Sequence, residues 1–425
     1  MNRDFLLLCV GQGFSRLGTR CLLVALPLLV LRATGSPWQA GLVEAVWGIA
    51  FLVTCLPAGA LADRLNRRTV MLISDLGCVA ASLLLVAGVV TGRAGLAWFL
   101  VVVVAFGICG PLFDPAAAGS IRRIVPAAQL SAALTVNQIR NQVAQLAGPA
   151  LGGLLFALDP AAPFLLNAAG FGASACGVLL IRTRLARPEQ PAVDAARGIG
   201  AGIRFLARSP GLRTTLLASA VANFCLSGVL LAVVFVVARP GAGGGHTGLV
   251  ITIAMAGSLV GASLGRQITA RFSIRQVVIY TSVVYAVAVP VLAGWNGDVV
   301  CTIVLGVCLF VSPSWSIVLG TYQMLVTPDH LQGRVQSAVS FSALVITPAG
   351  QLAAGGLYEH AGARTTFATF GLCLAALAVA APLSRSLRRL PTLTAPAPDR
   401  CDTPAPPPAS GPAAPASSGS ARGAS

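Results

Sequence analysis

The segment GALADRLNRR, residues 59–68, lies at the junction of two long apolar runs. In it an Asp-Arg pair precedes two further arginines. The flanking runs, near residues 38–62 and 69–91, are each long enough to cross a bilayer, which takes about 20 apolar residues. The segment is therefore predicted to be a short charged connection between two membrane helices, at one surface of the membrane.

The remainder of the chain has the same character. Of 425 residues, 56% are apolar and only 10% are charged, whereas a soluble globular chain is about 25% charged. Ten further apolar runs are found near residues 5–31, 95–119, 131–157, 161–182, 212–238, 246–266, 276–294, 298–325, 334–358 and 364–384. We therefore predict an all-α membrane protein with twelve transmembrane helices.

The distribution of basic residues predicts the orientation. All 29 basic residues are Arg; with twelve spans, 22 lie on the side that holds both termini and 4 on the other side. Loops rich in Arg stay in the cytoplasm, so we expect a multi-pass protein of the cell membrane with both termini cytoplasmic. A net charge of +16 can also indicate nucleic-acid binding, but arginines confined to short loops favour contact with the bilayer and no nucleic-acid partner.

The chain divides into two similar parts. Three pairs of landmarks are each separated by 202 residues: Pro111 and Pro313, Pro126 and Pro328, and Gly59 and Gly261. Such a repeat predicts two parallel six-helix halves. We place them at residues 1–182 and 212–384, joined by a cytoplasmic linker over 183–211 that contains a short amphipathic helix. The Pro-, Ala- and Ser-rich tail, 385–425, is predicted to be disordered.

The segment at residues 59–68 resembles the signature loop of the major facilitator superfamily: a Gly, three residues, Asp-Arg, two residues and a basic pair. The residues that carry the match are Gly59, Asp63, Arg64, Arg67 and Arg68. The resemblance implies two six-helix halves that alternate between two open states, with this loop acting as a conformational gate.

Elementary chemistry suggests how the gate is built. Gly59 would permit close helix approach, and Asp63 could accept charge-assisted hydrogen bonds at a helix N-terminus. The arginines could pair with an acid such as Asp114 on the fourth span. Asn66 replaces the family's second Gly, and Asn also tolerates a left-handed backbone.

Further segments narrow the resemblance to the branch that contains enterobactin exporters and macrolide-efflux proteins. They include FDPA at 113–116, GIRFL at 202–206 and PDHLQGRV at 328–335. On span five, Gly148, Pro149, Gly152 and Gly153 resemble the second part of the antiporter motif of drug exporters. Pro and Gly there favour a bend and close helix contact. Membership would imply proton-driven export of a small molecule.

Polar residues inside the spans are the candidates for substrate binding and coupling, because each is costly in a membrane. They are Arg16, Arg20, Glu44, Asp75, Asn137, Arg140 and Asn141. Structural ion pairs, Arg20 with Glu44 and Arg16 with Asp75, are the alternative explanation of the charges. Taken as ionised, the five charges sum to +1, which favours an anionic or neutral, hydrogen-bond-rich substrate.

The sequence does not point to an enzyme. It has three His and contains no HExxH, GxSxG or Walker-type motif, and we expect neither a metal nor a cofactor. We predict a monomeric secondary active transporter with a small-molecule substrate and the proton as coupling ion. The alternatives are an uptake permease of the same fold and a non-transporting membrane sensor.

Overall fold

A computed structural model describes residues 3–183, 204, 206, 208–238, 244–328 and 331–384. Regular structure in these ranges is helical: besides eleven long helices there are a short 3-10 turn at Ala127–Gln129 and isolated helical residues at 204, 206, 208 and 331. In the first half they are α1 (Arg3–Thr34), α2 (Pro37–Arg64), α3 (Arg67–Val90), α4 (Leu96–Ile124), α5 (Leu130–Leu158) and α6 (Ala162–Leu180). In the second half they are α7 (Pro210–Val237), α8 (Gly244–Arg271), α9 (Ile274–Gly294), α10 (Asp298–Val326) and α11 (Gln332–Leu383).

Helix α11 contains two of the predicted spans. Gly362 interrupts it with φ 75° and ψ 175°, a backbone conformation that only glycine adopts readily. Residues 332–361 and 363–383 are therefore separate helical segments, and the predicted twelve spans each have a helical counterpart. When α11 is taken as one helix, ten of the eleven described helices contain a stretch that is long and apolar enough to cross a membrane, and α5 is the exception. The predicted all-α membrane fold is confirmed.

The charged connection between α2 and α3 is shorter than its sequence suggests. Helix α2 continues to Arg64 and α3 begins at Arg67, so only Leu65 and Asn66 lie between them. Asn66 has an extended backbone, with φ −65° and ψ 120°, and its side-chain oxygen accepts a hydrogen bond from the Arg68 amide at 3.0 Å. Asn66 therefore does not use the left-handed backbone that an Asn tolerates, and instead caps the N-terminus of α3.

The two halves repeat the same helix pairing. In the first half α1 packs on α6 and α2 packs on α4; in the second, α7 packs on α11 and α8 packs on α10. The domain boundaries remain a prediction. The tail at 385–425 and most of the linker at 183–211 lie outside the described residues, but within the predicted amphipathic helix Leu206 is buried while Arg204 and Arg208 are exposed.

The halves meet at the end of the molecule that carries few arginines, which we call the Arg-poor end. There α2 crosses the first segment of α11, and α5 crosses α8. Residues 22–30 of α1 and 231–237 of α7 are almost completely buried in the same apolar cluster. We call this cluster the roof, because it closes the molecule at this end, above the cavities of the first half.

Within the roof, α2 contacts α11, and we call this contact the seam. The two helices can approach this closely because glycines lie at the contact. A Cβ placed on Gly41 would lie 2.7 Å from the carbonyl oxygen of Gln351 and 3.0 Å from the Cα of Gly355. A Cβ on Gly48 would lie 2.7 Å from the ring of Pro348. Backbones approach this closely only where side chains are absent.

Candidate functional site

A polar cavity of about 390 Å³ lies between α1, α4 and α5 in the first half. It extends to Ile121 and Leu130, near the ends of their helices on the Arg-rich side of the molecule. Its polar lining consists of Gln12, Arg16, Asp114, Asn137, Arg140 and Asn141. Four of the five intramembrane candidates on spans one and five therefore line this cavity, namely Arg16, Asn137, Arg140 and Asn141, whereas Arg20 does not.

Arg16 forms an ion pair with Asp114 across this cavity. Both side chains are partly exposed, at 36% and 55%. The predicted pairing of Arg16 with Asp75 is therefore wrong, and so is the predicted pairing of Asp114 with the arginines of the 59–68 segment. Arg16 points from α1 towards α4, whereas Asp75 lies on α3 close to Ser174 of α6.

Arg140 is held by neutral partners rather than by an acid. Its Nη1 donates to Gln12 Oε1 at 2.6 Å, and its Nη2 donates to Asn141 Oδ1 at 3.2 Å. Its Nε is buried without a hydrogen-bond partner. The cavity therefore contains one guanidinium neutralised by Asp114 and one whose charge is not compensated by a contacting carboxylate.

A second, more apolar cavity of about 110 Å³ adjoins the first and shares Gln12, Arg16 and Asp114 with it. Its other walls are largely aromatic: Trp47, Phe51, Phe106, Phe113 and Phe171. The rings of Trp47 and Phe106 have centroids 6.0 Å apart. Together the two cavities offer a hydrogen-bonding, cationic part and an aromatic part. Nothing in the sequence separates these aromatic residues from ones that face lipid.

The remaining intramembrane charges line neither cavity. Glu44 is 7% exposed and Asp75 is 1% exposed. Glu44 Oε1 and both carboxylate oxygens of Asp75 have no hydrogen-bond partner. Arg20 makes no hydrogen bond or ion pair with any described residue, so the predicted Arg20–Glu44 pair is also wrong.

The residues assigned to the gate have several different environments. Arg67 Nη1 donates to the carbonyl oxygen of Gly119 at 2.7 Å, and Arg68 donates to the carbonyl oxygen of Leu179. The two arginines thus fasten the start of α3 to the ends of α4 and α6. A Cβ on Gly59 would meet no described atom within 4 Å, so the expected close helix contact is absent in this conformation. The side chain of Asp63 lies outside the described residues.

The glycines of the 148–153 motif pack α5 against both halves. A Cβ on Gly148 would lie 2.3 Å from Cβ of Arg20, and one on Gly152 would lie 2.3 Å from the carbonyl oxygen of Cys21, both on α1. A Cβ on Gly153 would lie 2.3 Å from the carbonyl oxygen of Gly244 on α8. Pro149 lies between them within α5. The motif therefore lets α5 contact α1 and the second half at once.

Paired helix bundles that close at one end over a polar intramembrane cavity are an architecture typical of membrane transporters. Among the described residues no group of His, Cys, Asp or Glu is placed to hold a metal ion. Residues 2–409 match the family described as transmembrane secretion effector, and the chain belongs to that family of the major facilitator superfamily. The predicted resemblance is confirmed; this is a family of transporters and not of enzymes.

Three similar proteins illustrate the relationship. The multidrug efflux pump Tap of Mycolicibacterium fortuitum is 29% identical over 398 residues, covering 89% of this chain and 95% of Tap. The enterobactin exporter EntS of Shigella flexneri is 28% identical over 207 residues, or 47% of this chain and 48% of EntS. The crystal structure of a bacterial homologue of the lysosomal transporter Spinster, inward-facing and unoccupied, has a TM-score of 0.69 at 14% identity, covering 91% of this chain and 97% of that one. This last likeness concerns the fold alone.

Proposed function

We propose that the protein is a proton-driven exporter of small molecules in the cell membrane. The observation that carries this proposal is the cavity of α1, α4 and α5, which holds the uncompensated guanidinium of Arg140 beneath a closed roof. Two relatives bear the names of a multidrug efflux pump and an enterobactin exporter, which supports export over uptake. A fold alone does not fix direction.

The cavity charges support an anionic or neutral, hydrogen-bond-rich substrate. Arg16, Arg140 and Asp114 leave one net positive charge in the polar cavity. The sum of +1 expected from sequence used a different set of charges, since it included Arg20, Glu44 and Asp75, which do not line this cavity, and omitted Asp114. The adjoining aromatic walls suit a flat apolar part of the same molecule.

The coupling proton is proposed to be carried by a buried carboxyl group. Glu44 and Asp75 are both buried in the membrane-spanning region with unpartnered oxygens. Burying an ionised carboxylate without a partner is costly, and taking up a proton removes the charge. Either residue can therefore serve as a carrier if a conformational change brings it into contact with water.

Transport in everted membrane vesicles tests the proposal. A substrate chosen from antibiotics and siderophores against which the gene protects growing cells should accumulate when the vesicles are energised, and a protonophore should abolish the accumulation. Accumulation only in right-side-out vesicles would instead indicate an uptake permease. If no compound in such a panel is moved in either direction, the sensor becomes the better explanation.

The orientation is tested separately by reporter fusions. We expect fusions after Arg64, Arg197 and Arg400 to be cytoplasmic, and fusions after Arg32 and Asp298 to be external, because of the Arg asymmetry. Paired phosphatase and fluorescent-protein reporters measure this, each serving as the control for the other. An external reporter after Arg197 would contradict the division into two six-helix halves.

A further inference from the structure

Glu44 lies within the roof, and its sequence neighbours there are buried apolar residues. Its neighbours Val43 and Ala45 are 0% and 2% exposed, and Val43 belongs to the apolar cluster that both halves share. Glu44 itself is 7% exposed, and its Oε1 has no hydrogen-bond partner. A carboxyl group is therefore sealed where the two halves close on each other.

The geometry of α2 places Glu44 between the seam and the substrate cavity. At about 100° per residue, Glu44 lies about 40–60° around the helix from Gly41 and Gly48, the two glycines of the seam. On its other side, about 60° and 20° around the helix, are Trp47 and Phe51, which line the aromatic cavity. Opening the seam would expose this carboxyl group at the Arg-poor end, while the cavity approaches it from the opposite end.

No charged group compensates Glu44 in the closed roof. Glu359 of α11 is bound to the start of α2, where its Oε2 accepts hydrogen bonds from the Trp38 amide at 2.8 Å and from the Ser36 hydroxyl. Trp38 and Ser36, to which Glu359 is bound, lie about 9 and 12 Å from Glu44 along the axis of α2, at about 1.5 Å per residue.

The other helices that pack on α2 are equally poor in charge near Glu44. Residues 79–90 of α3 and 96–113 of α4 contain no ionisable group other than cysteine. On α1 the charges towards this end are Arg20 and Arg32, and on α11 His360 and Arg364 follow Glu359. None of them forms an ion pair with Glu44 among the described contacts.

We propose that Glu44 couples the proton to the roof: the roof closes over the neutral carboxyl group and opens when that group is ionised. This inference rests on the proposed function and assigns the coupling step to one residue. With the roof open, the carboxylate takes a proton from the water at the Arg-poor end. With the roof closed, entry of the substrate into the cavity is accompanied by release of the Glu44 O–H proton. The proton passes Trp47 and Phe51 and is taken up by water in the cavity. The resulting charge then favours opening, which carries the substrate out.

Asp75 is not placed to act in this way. It lies on α3 close to Ser174 of α6, and both of these helices belong to the first half. Movement of one half against the other need not change its surroundings. Glu44, in contrast, lies beside the contact between the halves.

Distance measurements between spin labels at Ala33 and Ala361 test the inference on the purified full-length chain. Both residues are exposed and lie on opposite sides of the seam; a variant whose native cysteines are replaced, and which still transports, provides the background. We expect a short and a long distance in the otherwise unaltered protein. The ratio of long to short should rise with pH by up to about tenfold per pH unit for one proton.

The variants then separate Glu44 from its neighbours. Glu44→Gln and Glu44→Ala should show only the short distance at every pH, because neither residue can ionise. Glu359→Gln is the matched control: it should increase the share of the long distance but retain the pH response. Size-exclusion and thermal-unfolding profiles identify a variant that has failed to fold, and the two Glu44 variants provide independent chances of a folded one.

Two results would overturn the inference. One is a pH response in Glu44→Gln equal to that of the parent, and the other is a parent protein whose distances do not change with pH. Neither result decides whether the protein is an exporter, because the vesicle experiment measures proton-driven accumulation directly. The failure of this coupling step and the failure of the proposed function are therefore distinguishable.

Discussion

Replacing Gly355 by leucine should abolish transport while the protein still inserts into the membrane. A Cβ at this position would lie 2.7 Å from the carbonyl oxygen of Pro37 and 3.1 Å from the Cα of Gly41. These are backbone atoms of α2, so no side-chain rotation can make room. Overpacking of this kind costs about 1–3 kcal/mol, which shifts an equilibrium between two conformations by about 5- to 150-fold. We expect the seam to be held open, so that the carrier cannot complete its cycle.

The measurement is the initial rate of substrate accumulation in everted vesicles, normalised to the amount of protein in the membrane. Gly320→Leu on α10 is the matched control, because a Cβ at Gly320 would meet no described atom within 4 Å. Spin labels at residues 33 and 361 should show mainly the long distance in Gly355→Leu. A Gly355→Leu protein with the parent's rate would show that the seam does not have to close during transport.

The helices were predictable from sequence because a membrane span has a simple requirement. Some 20 apolar residues must be bounded by polar ones, and the loop arginines supplied that boundary. Even the break in α11 was anticipated by the separate runs near 334–358 and 364–384, which Gly362 divides. Asn66 shows the limit of such reasoning. An Asn is suited both to a left-handed backbone and to an N-cap position. Because α3 begins at the next residue, Asn66 takes the N-cap position.

Side-chain partners were less predictable than spans. The four-residue spacing of Gln12, Arg16 and Arg20 gives a common face of α1, but not the helix that this face contacts. Arg16 therefore paired with Asp114 of α4 instead of Asp75 of α3. Arg20 was the partner considered for Glu44, and the position of Glu44 beside the seam became evident only from the packing of the two halves.

The aromatic cavity was missed for a related reason. Trp47 and Phe51 lie four residues apart on α2, a spacing equally suitable for residues that face lipid or another helix. In a chain whose outer surface is also apolar, hydrophobicity does not distinguish inside from outside. Polar residues do distinguish them, because their cost in lipid directs them inward. This is why Asn137, Arg140 and Asn141 could be singled out before the cavity they line was seen.

Replacing Arg140 by glutamine should raise the KM for an anionic substrate by about 10- to 150-fold, because a hydrogen bond to a charged group contributes about 1.5–3 kcal/mol. Arg140 is suited to this role since its guanidinium contacts the neutral Gln12 and Asn141 and its Nε has no partner. Glutamine removes the charge but keeps a hydrogen-bonding amide at this position. The rate at saturating substrate should change much less than KM, because the helix contacts of the roof are untouched. A neutral analogue of the same substrate provides the control, and its KM should remain within about threefold of the parent value. Equal losses for the charged and neutral compounds would show that Arg140 supports the shape of the cavity and does not bind the anion.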